Sequence, residues 1–221
     1  MSIQIKLSEQ LGEDGKEGIT LLGTVTQRFS GECYDIPVRL RKGQQVAVKT
    51  FKQTKSIARI KKEASLQQLC AAAEVSPVVY GVDTENKHII MEKMSSLPVE
   101  MYSKLPATLQ YQICALMHRM DNVKVMHADM NARNVMLNEA GRPYMIDFGF
   151  AKKIDAKITR KFGEHPNVKV TLWGLVRGFT RSKVECDIMD ACVKAKEKST
   201  YFEKGEELLS ESGHRRKKRK R

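Results

Sequence analysis

The sequence has no long apolar run, and every hydrophobic stretch is far shorter than the roughly 20 residues that a membrane-spanning helix needs. Its opening residues lack the charged-then-apolar pattern of a secretory signal. A membrane protein and a Sec-exported protein are therefore both disfavoured. The five cysteines are widely spaced, without a C-x-x-C pair or the neighbouring histidines of a zinc site. This spacing predicts reduced thiols in a cytoplasmic protein.

Internal repeats are also absent, and aromatic residues make up only 6% of the chain. The chain has 221 residues, of which 41% are hydrophobic and 29% are charged. These values are typical of a globular protein that is long enough to build one good core. The sequence therefore predicts one domain or two small lobes rather than a repeat array.

Acidic residues are too few to balance the basic ones, since 39 Lys and Arg stand against 26 Asp and Glu and give a net charge of +13. The last seven residues, from Arg215 to Arg221, are all basic. Such a run repels itself and buries nothing, so residues 206–221 are predicted to be a disordered basic tail. It matches a nuclear-localisation signal that would bind an import factor, and it would equally attract a polyanion or merely solubilise the terminus.

The first half of the chain is predicted to be rich in strands. In residues 45–51 a period-two pattern places Ala47 and Lys49 on the same face of a strand. Ser56 is a candidate N-cap for a helix that runs to about Ala73 and carries Glu63 beside its apolar stripe. Two short strands, residues 78–82 and 88–91, follow this helix on either side of a polar turn.

The second half begins with a predicted helix, because apolar residues recur at spacings of three and four from Pro106 to about Met120. Two brief apolar runs, residues 135–137 and 144–146, flank a polar turn and predict a hairpin. Polar residues stand at both ends of this hairpin. We expect those ends to carry the chemistry.

Five short motifs occur along the chain in an informative order. Residues 127–134 fit the pattern H-x-D-x-x-x-x-N, and residues 147–149 read Asp-Phe-Gly. Upstream, residues 46–49 read Val-Ala-Val-Lys, Glu63 follows fourteen residues after the lysine, and residues 91–94 form a short connecting segment. Each motif alone is only suggestive, but together and in this order they resemble the protein kinase family.

The resemblance implies an α+β, two-lobed protein kinase-like fold. It divides the chain into a small β-rich N-lobe with hinge over 1–94, a helical C-lobe over 95–205, and the basic tail over 206–221. Only 72 residues follow Gly149, and the A-P-E motif of the family is missing from them. The helical lobe is therefore predicted to be truncated.

The resemblance also implies ATP and Mg²⁺ as cofactors, and it assigns a role to each motif residue. Asp129 would accept the proton of the substrate hydroxyl. The residues implied in catalysis are Asp129, Lys49 and Asn134. The residues implied in nucleotide binding are Lys49, Glu63, Gly31, Ala47, Glu92, Met94, Met136 and Asp147. The residues implied in metal binding are Asn134 and Asp147.

The sequence departs from the family pattern in several places. The best register for the glycine-rich loop, residues 26–33, keeps a single glycine, Gly31, with Arg28 as a possible source of charge. Thr171 stands where the family has an aspartate that anchors the catalytic loop. Ala128 replaces an arginine that would pair with a phosphorylated activation loop, and Thr159 is the single hydroxyl between Gly149 and Gly163. Activation by loop phosphorylation is therefore not expected.

The short C-lobe and the D-M-N-x-x-N loop are similar to the minimal kinases that bacteria inject through type III secretion, and more distantly to the RIO and Bud32 atypical kinases. The first likeness implies a serine/threonine kinase that is delivered into a host cell and acts on a protein substrate such as a host chaperone or a ubiquitin-pathway protein. Two alternatives remain open. One is a pseudokinase-like binding scaffold, and the other is an ATPase linked to RNA modification.

Overall fold

A five-stranded antiparallel sheet dominates the first part of the chain. The computed structural model describes residues 3–195 and 198–218. The elements of the first part are β1 (Ile5–Gln10), β2 (Gly18–Val25), β3 (Phe29–Cys33), β4 (Ile36–Leu40), β5 (Gln45–Phe51), α1 (Ile57–Ala72), β6 (Val79–Asp83) and β7 (His88–Glu92). The predicted strand, helix and strand pair of this region are all confirmed, whereas β1 to β4 were not predicted.

The strand order is β1-β2-β5-β7-β6, so β5 occupies the centre of the sheet. Ala47 on β5 lies between Leu22 on β2 and Met91 on β7. Hairpin β3–β4 pairs only with itself and covers the outer face of the sheet. The buried residues of that face are Val25, Val38, Leu40, Val46, Val48 and Ile90. Those of the inner face are Ala47, Phe51, Ile60, Ala64, Val79, Ile89 and Met91.

Helix α1 lies against the inner face and begins at the predicted N-cap. The Ser56 hydroxyl accepts a hydrogen bond from the backbone N–H of Arg59, which satisfies one of the free donors of the first turn. Ile60 and Ala64 are fully buried against the sheet. Because Glu63 lies three positions after Ile60, on the same side of the helix, the packing of α1 also fixes its carboxylate beside the face that carries Lys49.

The second part is built around helix α2, whose predicted apolar face is confirmed by the complete burial of Ile113, Leu116, Met117 and Met120. Its elements are α2 (Ala107–Asn122), β8 (Val125–Met126), β9 (Val135–Leu137), β10 (Pro143–Met145), β11 (Lys152–Lys153), α3 (Ala156–Phe162), α4 (Trp173–Arg181), α5 (Asp187–Lys194) and α6 (Ser199–Lys218). Strands β9 and β10 form the predicted hairpin. The mixed α+β architecture with two parts is thus the one that the motifs imply.

Helix α6 corrects the prediction that disorder begins at residue 206. It lies along α2, where the Arg119 guanidinium holds the Glu206 carboxylate at 2.8 and 3.0 Å and Leu209 is buried. The prediction of disorder considered only the charged residues of this segment. Apolar side chains lie among them and give the helix a face that it can bury. The import and polyanion predictions concern Arg215 to Arg221. Residues 219–221 and the side chains from 213 onward lie outside the described part of the chain.

The structure also bears on the cysteines and on the apolar runs. All five cysteines carry free thiols, and four of them are buried in the core.

In residues 3–195 and 198–218, none of the helices combines the length and the apolar character that crossing a bilayer requires.

Candidate active site

The first cluster of the site joins the two parts of the chain through Lys49. Its ammonium donates hydrogen bonds to Glu63 Oε1 at 2.6 Å and to Asp147 Oδ1 at 2.7 Å. Burial alone would lower the pKa of Lys49, but the two carboxylates together raise it above its usual value. Burial would likewise raise the pKa of Asp147, but Lys49 holds it below its usual value. Lys49 and Asp147 are therefore both charged, and the predicted Lys49–Glu63 contact is confirmed.

A second lysine, which sequence reasoning missed, extends this cluster. Lys55 donates to Glu63 Oε2 at 2.7 Å and also contacts the carboxylate of Glu17. Only 5% of the Lys55 side chain and 2% of the Glu63 side chain are exposed. Each oxygen of Glu63 thus has its own ammonium, which fixes the carboxylate in position. Lys55 lies in a short loop that contains none of the family motifs. Its position next to Ser56, the N-cap of α1, was the one feature of the sequence that could have placed it near Glu63.

Gly31 does not lie beside the cluster around Lys49, as the predicted glycine-rich loop over residues 26–33 requires. This glycine belongs to hairpin β3–β4 on the outer face of the sheet, whereas Lys49 lies on the inner face. The turn that precedes the sheet's second strand is residues 11–17, between β1 and β2, and it includes Gly12 and Gly15 with Gly18 at its end. The inserted β3–β4 hairpin separates this turn from the lysine strand, which explains the error. Three glycines spaced by three residues were the available signal.

Acidic side chains of this turn reach across the site. A Cβ added at Gly149 would lie 3.0 Å from Glu17 Oε2 and 3.2 Å from Asp147 Oδ1, so Glu17 packs directly on the Asp-Phe-Gly motif. Farther along, Glu13 forms an ion pair with Arg133, 120 residues away. The turn between β1 and β2 therefore covers the space between the two halves of the site.

The catalytic-loop motif folds into a small network around Asp129. Asn134, which is buried, donates from its side-chain Nδ2 to Asp129 Oδ2 at 2.9 Å. The backbone N–H of Asn131 donates to Asp129 Oδ1 at 3.2 Å. Asn131 also accepts a hydrogen bond from the backbone of Arg133, which closes a short turn. The Asp129 carboxylate is thus oriented by two amide groups of its own loop.

The anchor of this loop is Asn167, not Thr171 as the sequence suggested. Asn167 Oδ1 accepts the backbone N–H of His127 at 3.0 Å, and its Nδ2 donates to Val125 O at 2.7 Å and to Asp121 Oδ1 at 2.6 Å. Thr171 only supports it, by donating to Asn167 Oδ1 at 3.3 Å. Asn167 lies in a π-helical turn, which has more residues per turn than an α-helix. The residue that faces the catalytic loop is therefore not the one that α-helical spacing predicts.

Buried polar groups surround the anchor. Burial raises the pKa of Asp121 to about 7, against the hydrogen bonds from Asn167 that lower it. The His127 ring is fully buried, and burial lowers its pKa, so it is neutral. It lies 2.9 Å from Ile146 O and edge-on to the Phe148 ring. His127 therefore holds the catalytic loop and the Asp-Phe-Gly segment together.

Helix α4 supports the catalytic loop from below through two glycines. A Cβ added at Gly174 would lie 2.2 Å from the Cβ of Met130, a distance that real side chains do not reach. One turn later, a Cβ at Gly178 would lie 3.2 Å from the Cβ of Ala132. Glycine at position 174 is therefore required for the close approach of helix and loop.

The residues predicted to hold adenine converge on the connection between the two parts. Ala47 lies opposite Met91 on the inner face, and Met94 is buried just after β7. Ser95 and Leu137 exchange backbone hydrogen bonds of 2.8 Å, which tie this connection to β9 and bring Met136 beside it. The backbone N–H of Glu92 donates to Val78 O at 2.9 Å, so this N–H is already used and cannot also bind the edge of an adenine.

The donor set fits a magnesium ion. Asp147 uses Oδ1 for Lys49 and for the backbone N–H of Gly149, which leaves Oδ2 for a cation. Asn134 uses Nδ2 for Asp129, which leaves its amide oxygen. Within the described part of the chain, no group of three or more acidic, His or Cys side chains could cage a metal. Two hard oxygen donors suit Mg²⁺, which takes its remaining ligands from phosphates and water.

The fold and this site together define a protein kinase domain. Its lysine strand, paired helix glutamate, catalytic loop and Asp-Phe-Gly segment lie in the order and in the arrangement that phosphoryl transfer uses. The family described as "Protein tyrosine and serine/threonine kinase" matches residues 5–173. The chain belongs to this family.

A curated relative gives a weaker likeness. Over 123 residues the chain is 28% identical to the LEAF RUST 10 disease-resistance locus receptor-like protein kinase-like 2.3 of Arabidopsis thaliana. The match covers 52% of this chain and 20% of that protein. The chain thus spans about a fifth of the length of this relative.

Proposed function

We propose that this protein is an ATP- and magnesium-dependent protein kinase that phosphorylates serine or threonine. The observation that carries the proposal is the assembled ion-pair chain from Glu63 through Lys49 to Asp147, next to an Asp129 that its own loop orients. None of these contacts needs a phosphorylated residue. The site is therefore expected to be active without activation-loop phosphorylation.

Each residue then has one task in the transfer. Lys49, fixed by Glu63, holds the α- and β-phosphates, and Asp147 with Asn134 would hold Mg²⁺, which neutralises charge on the phosphates. The acceptor hydroxyl attacks the γ-phosphorus, the new O–P bond forms as the bond to the β-phosphate oxygen breaks, and ADP leaves. Asp129 accepts the hydroxyl proton.

The test is magnesium-dependent transfer of labelled γ-phosphate to the protein itself, to generic proteins and to a eukaryotic lysate. Wild type is compared with Asp129→Asn and Asp147→Ala, and with Lys61→Met as a surface control on α1. We expect label on serine or threonine with wild type and control, and a loss of at least about a hundredfold in both site variants. Equal silence of all four proteins would refute kinase activity, and label on tyrosine would refute the acceptor preference.

The effector role is the finer part of the proposal. It is supported by the likeness of residues 129–134 to the loop of injected bacterial kinases, and it makes a host protein the substrate, with a chaperone or ubiquitin-pathway protein as the first candidates. Labelled lysate proteins that disappear with Asp129→Asn would supply that substrate. A lysate without any such protein would count against the role.

A binding scaffold is the second candidate, and one observation favours it. The turn over the site carries Glu13, Asp14 and Glu17, whose carboxylates repel nucleotide phosphates. A scaffold would show no ATP-dependent change in melting temperature and no transfer. Binding of Mg-ATP without transfer to protein, but with phosphate release, would favour an ATPase instead.

A further inference from the structure

Arg133 stands at the rim of the candidate active site. It lies four residues after Asp129, and its neighbour Asn134 turns inward to hold the Asp129 carboxylate. The Arg133 side chain points the other way and is 74% exposed. Its backbone N–H is fixed by Asn131 Oδ1 at 3.0 Å. A guanidinium is thus presented to solvent beside the group proposed to receive the acceptor's proton.

The guanidinium of Arg133 is already paired with a carboxylate. Glu13, at the tip of the turn between β1 and β2, crosses from the opposite lobe to pair with Arg133, and its own side chain is 79% exposed. An ion pair between two exposed side chains contributes little to stability, so a competing carboxylate could replace it at small cost. The contact shows which ligand chemistry this position accepts.

The segment that follows the Asp-Phe-Gly motif is also positively charged. Residues 150–163 contain five basic side chains and one acidic one, Asp155. Asp155 is engaged as the N-cap of α3, where it accepts the backbone N–H of Ile158 at 2.9 Å. Strand β11 lies beside β8, which leads directly into the catalytic loop. The basic rim, as we define it, comprises Arg133, Lys152, Lys153, Lys157, Arg160 and Lys161.

We propose that the acceptor is an acidic segment, with an Asp or Glu beside the phosphorylated residue that replaces Glu13 on Arg133. This inference rests on the proposed kinase function and names its substrate class. The basic rim would raise the local concentration of such segments and orient them across the site. In the free protein, Glu13 acts as an internal competitor for the same position.

The test uses serine and threonine peptides in which each flanking position is in turn Glu, Ala or Arg. We expect wild type to favour Glu over Arg at one or more flanking positions by about tenfold in kcat/KM. Arg133→Glu should cancel or invert the preference at one of these positions. Arg39→Glu, an equal charge reversal on an exposed residue of β4, should keep it. Glu13→Gln should lower the KM for the acidic peptide about threefold and leave the KM for the peptide with Arg at that position unchanged.

The outcomes separate this inference from the function on which it rests. Phosphorylation of all peptides alike, or a preference that Arg133→Glu leaves intact, overturns the acidic-substrate inference while the kinase proposal stands. An equal loss with Arg39→Glu also overturns it, because the effect would then belong to net charge. Absence of phosphorylation in every peptide, with wild type equal to Asp129→Asn, refutes the kinase function itself.

Discussion

The side-chain oxygen of Asn167 accepts the backbone N–H of His127 at 3.0 Å. This bond ties the first residue of the catalytic loop to the helical core, across 40 positions of sequence. The next residue, Ala128, has a left-handed backbone with φ of 62°, a conformation that costs energy for a residue with a side chain. The anchor therefore stabilises the strained backbone that presents Asp129.

Asn167→Ala is expected to lower the free energy of unfolding by about 3 kcal/mol and to reduce phosphoryl transfer at least tenfold. The substitution leaves the His127 N–H, the Val125 carbonyl and the Asp121 carboxylate buried without this partner. Thr171→Val is the matched variant and should cost about 1 kcal/mol, since it removes only the 3.3 Å bond. Urea unfolding measures both. Equal losses would mean that Asn167 is not the anchor.

Lys55→Met is expected to raise the KM for ATP and to reduce kcat/KM about tenfold, because Glu63 would lose one of its two ammonium partners and Glu17 would be released. Glu63 is needed to position Lys49. Steady-state kinetics with varied ATP measure the effect, and Lys62→Met on the exposed side of α1 is the control. Unchanged ATP kinetics in Lys55→Met would show that this lysine has no positioning role.

Gly12→Ala is expected to raise the KM for ATP about fivefold, whereas Gly31→Ala should change it less than twofold. Gly12 has φ of +82°, which a residue with a side chain adopts only with strain, so the turn over the phosphates would shift. Gly31 lies in the outer hairpin, where the nearest atoms to an added Cβ belong to the Phe29 ring. Steady-state kinetics with varied Mg-ATP compare the two. The reverse ranking would return the phosphate loop to residues 26–33.

Gly174→Ala is expected to lower the free energy of unfolding by about 2 to 4 kcal/mol and to abolish most transfer, because the new Cβ would push the catalytic loop away from α4. Gly178→Ala is the matched control. Its Cβ would lie 3.2 Å from Ala132, a contact that small movements relieve, so the cost should stay below about 1 kcal/mol. Thermal unfolding and labelled transfer test both variants, and similar values would argue against the close approach.

Asp121→Asn is expected to remove a pH dependence of stability. The pKa of Asp121 is about 7 in the fold, above its usual value of 3.8, so the folded state holds a proton that the unfolded state has lost. Stability from this group is therefore greatest at low pH and falls as the pH rises from about 4 to about 7, by roughly 2 to 4 kcal/mol. The asparagine variant should lack this fall. Measuring unfolding at pH 5 and pH 8 compares the two proteins.

The groups that face Asp121 must be separated from it. His165 Nδ1 lies 3.7 Å from Asp121 Oδ2, and Lys124 and Lys198 lower the pKa of the carboxyl. His165→Gln in both backgrounds removes the imidazole, which titrates in the same range. If the pH dependence disappears with His165→Gln and persists with Asp121→Asn, the assignment to Asp121 is wrong.

Local patterns in the sequence were sufficient for much of the fold. The period of two around Lys49, the Ser56 cap and the spacing of apolar residues in α2 each reflect interactions between near neighbours in the chain, and the corresponding elements are confirmed. The ordered motifs also identified Lys49, Glu63 and Asp147, which the structure brings into contact. Alternation along β5 explains why Ala47 and Lys49 share the inner face.

Only the tertiary structure decided which groups surround these residues. Lys55 meets Glu17 across 38 positions, and Asn167 meets His127 across 40, so no local period records either contact. The inserted β3–β4 hairpin separates the glycine-bearing turn of residues 11–17 from the lysine strand, and the π-helical turn moves the loop anchor from Thr171 to Asn167. Helix α6 is ordered by the face of α2 that it covers. Contacts between residues far apart in sequence depend on how the helices and strands pack. That packing exists only once the chain has folded, so these partners cannot be predicted from local sequence patterns.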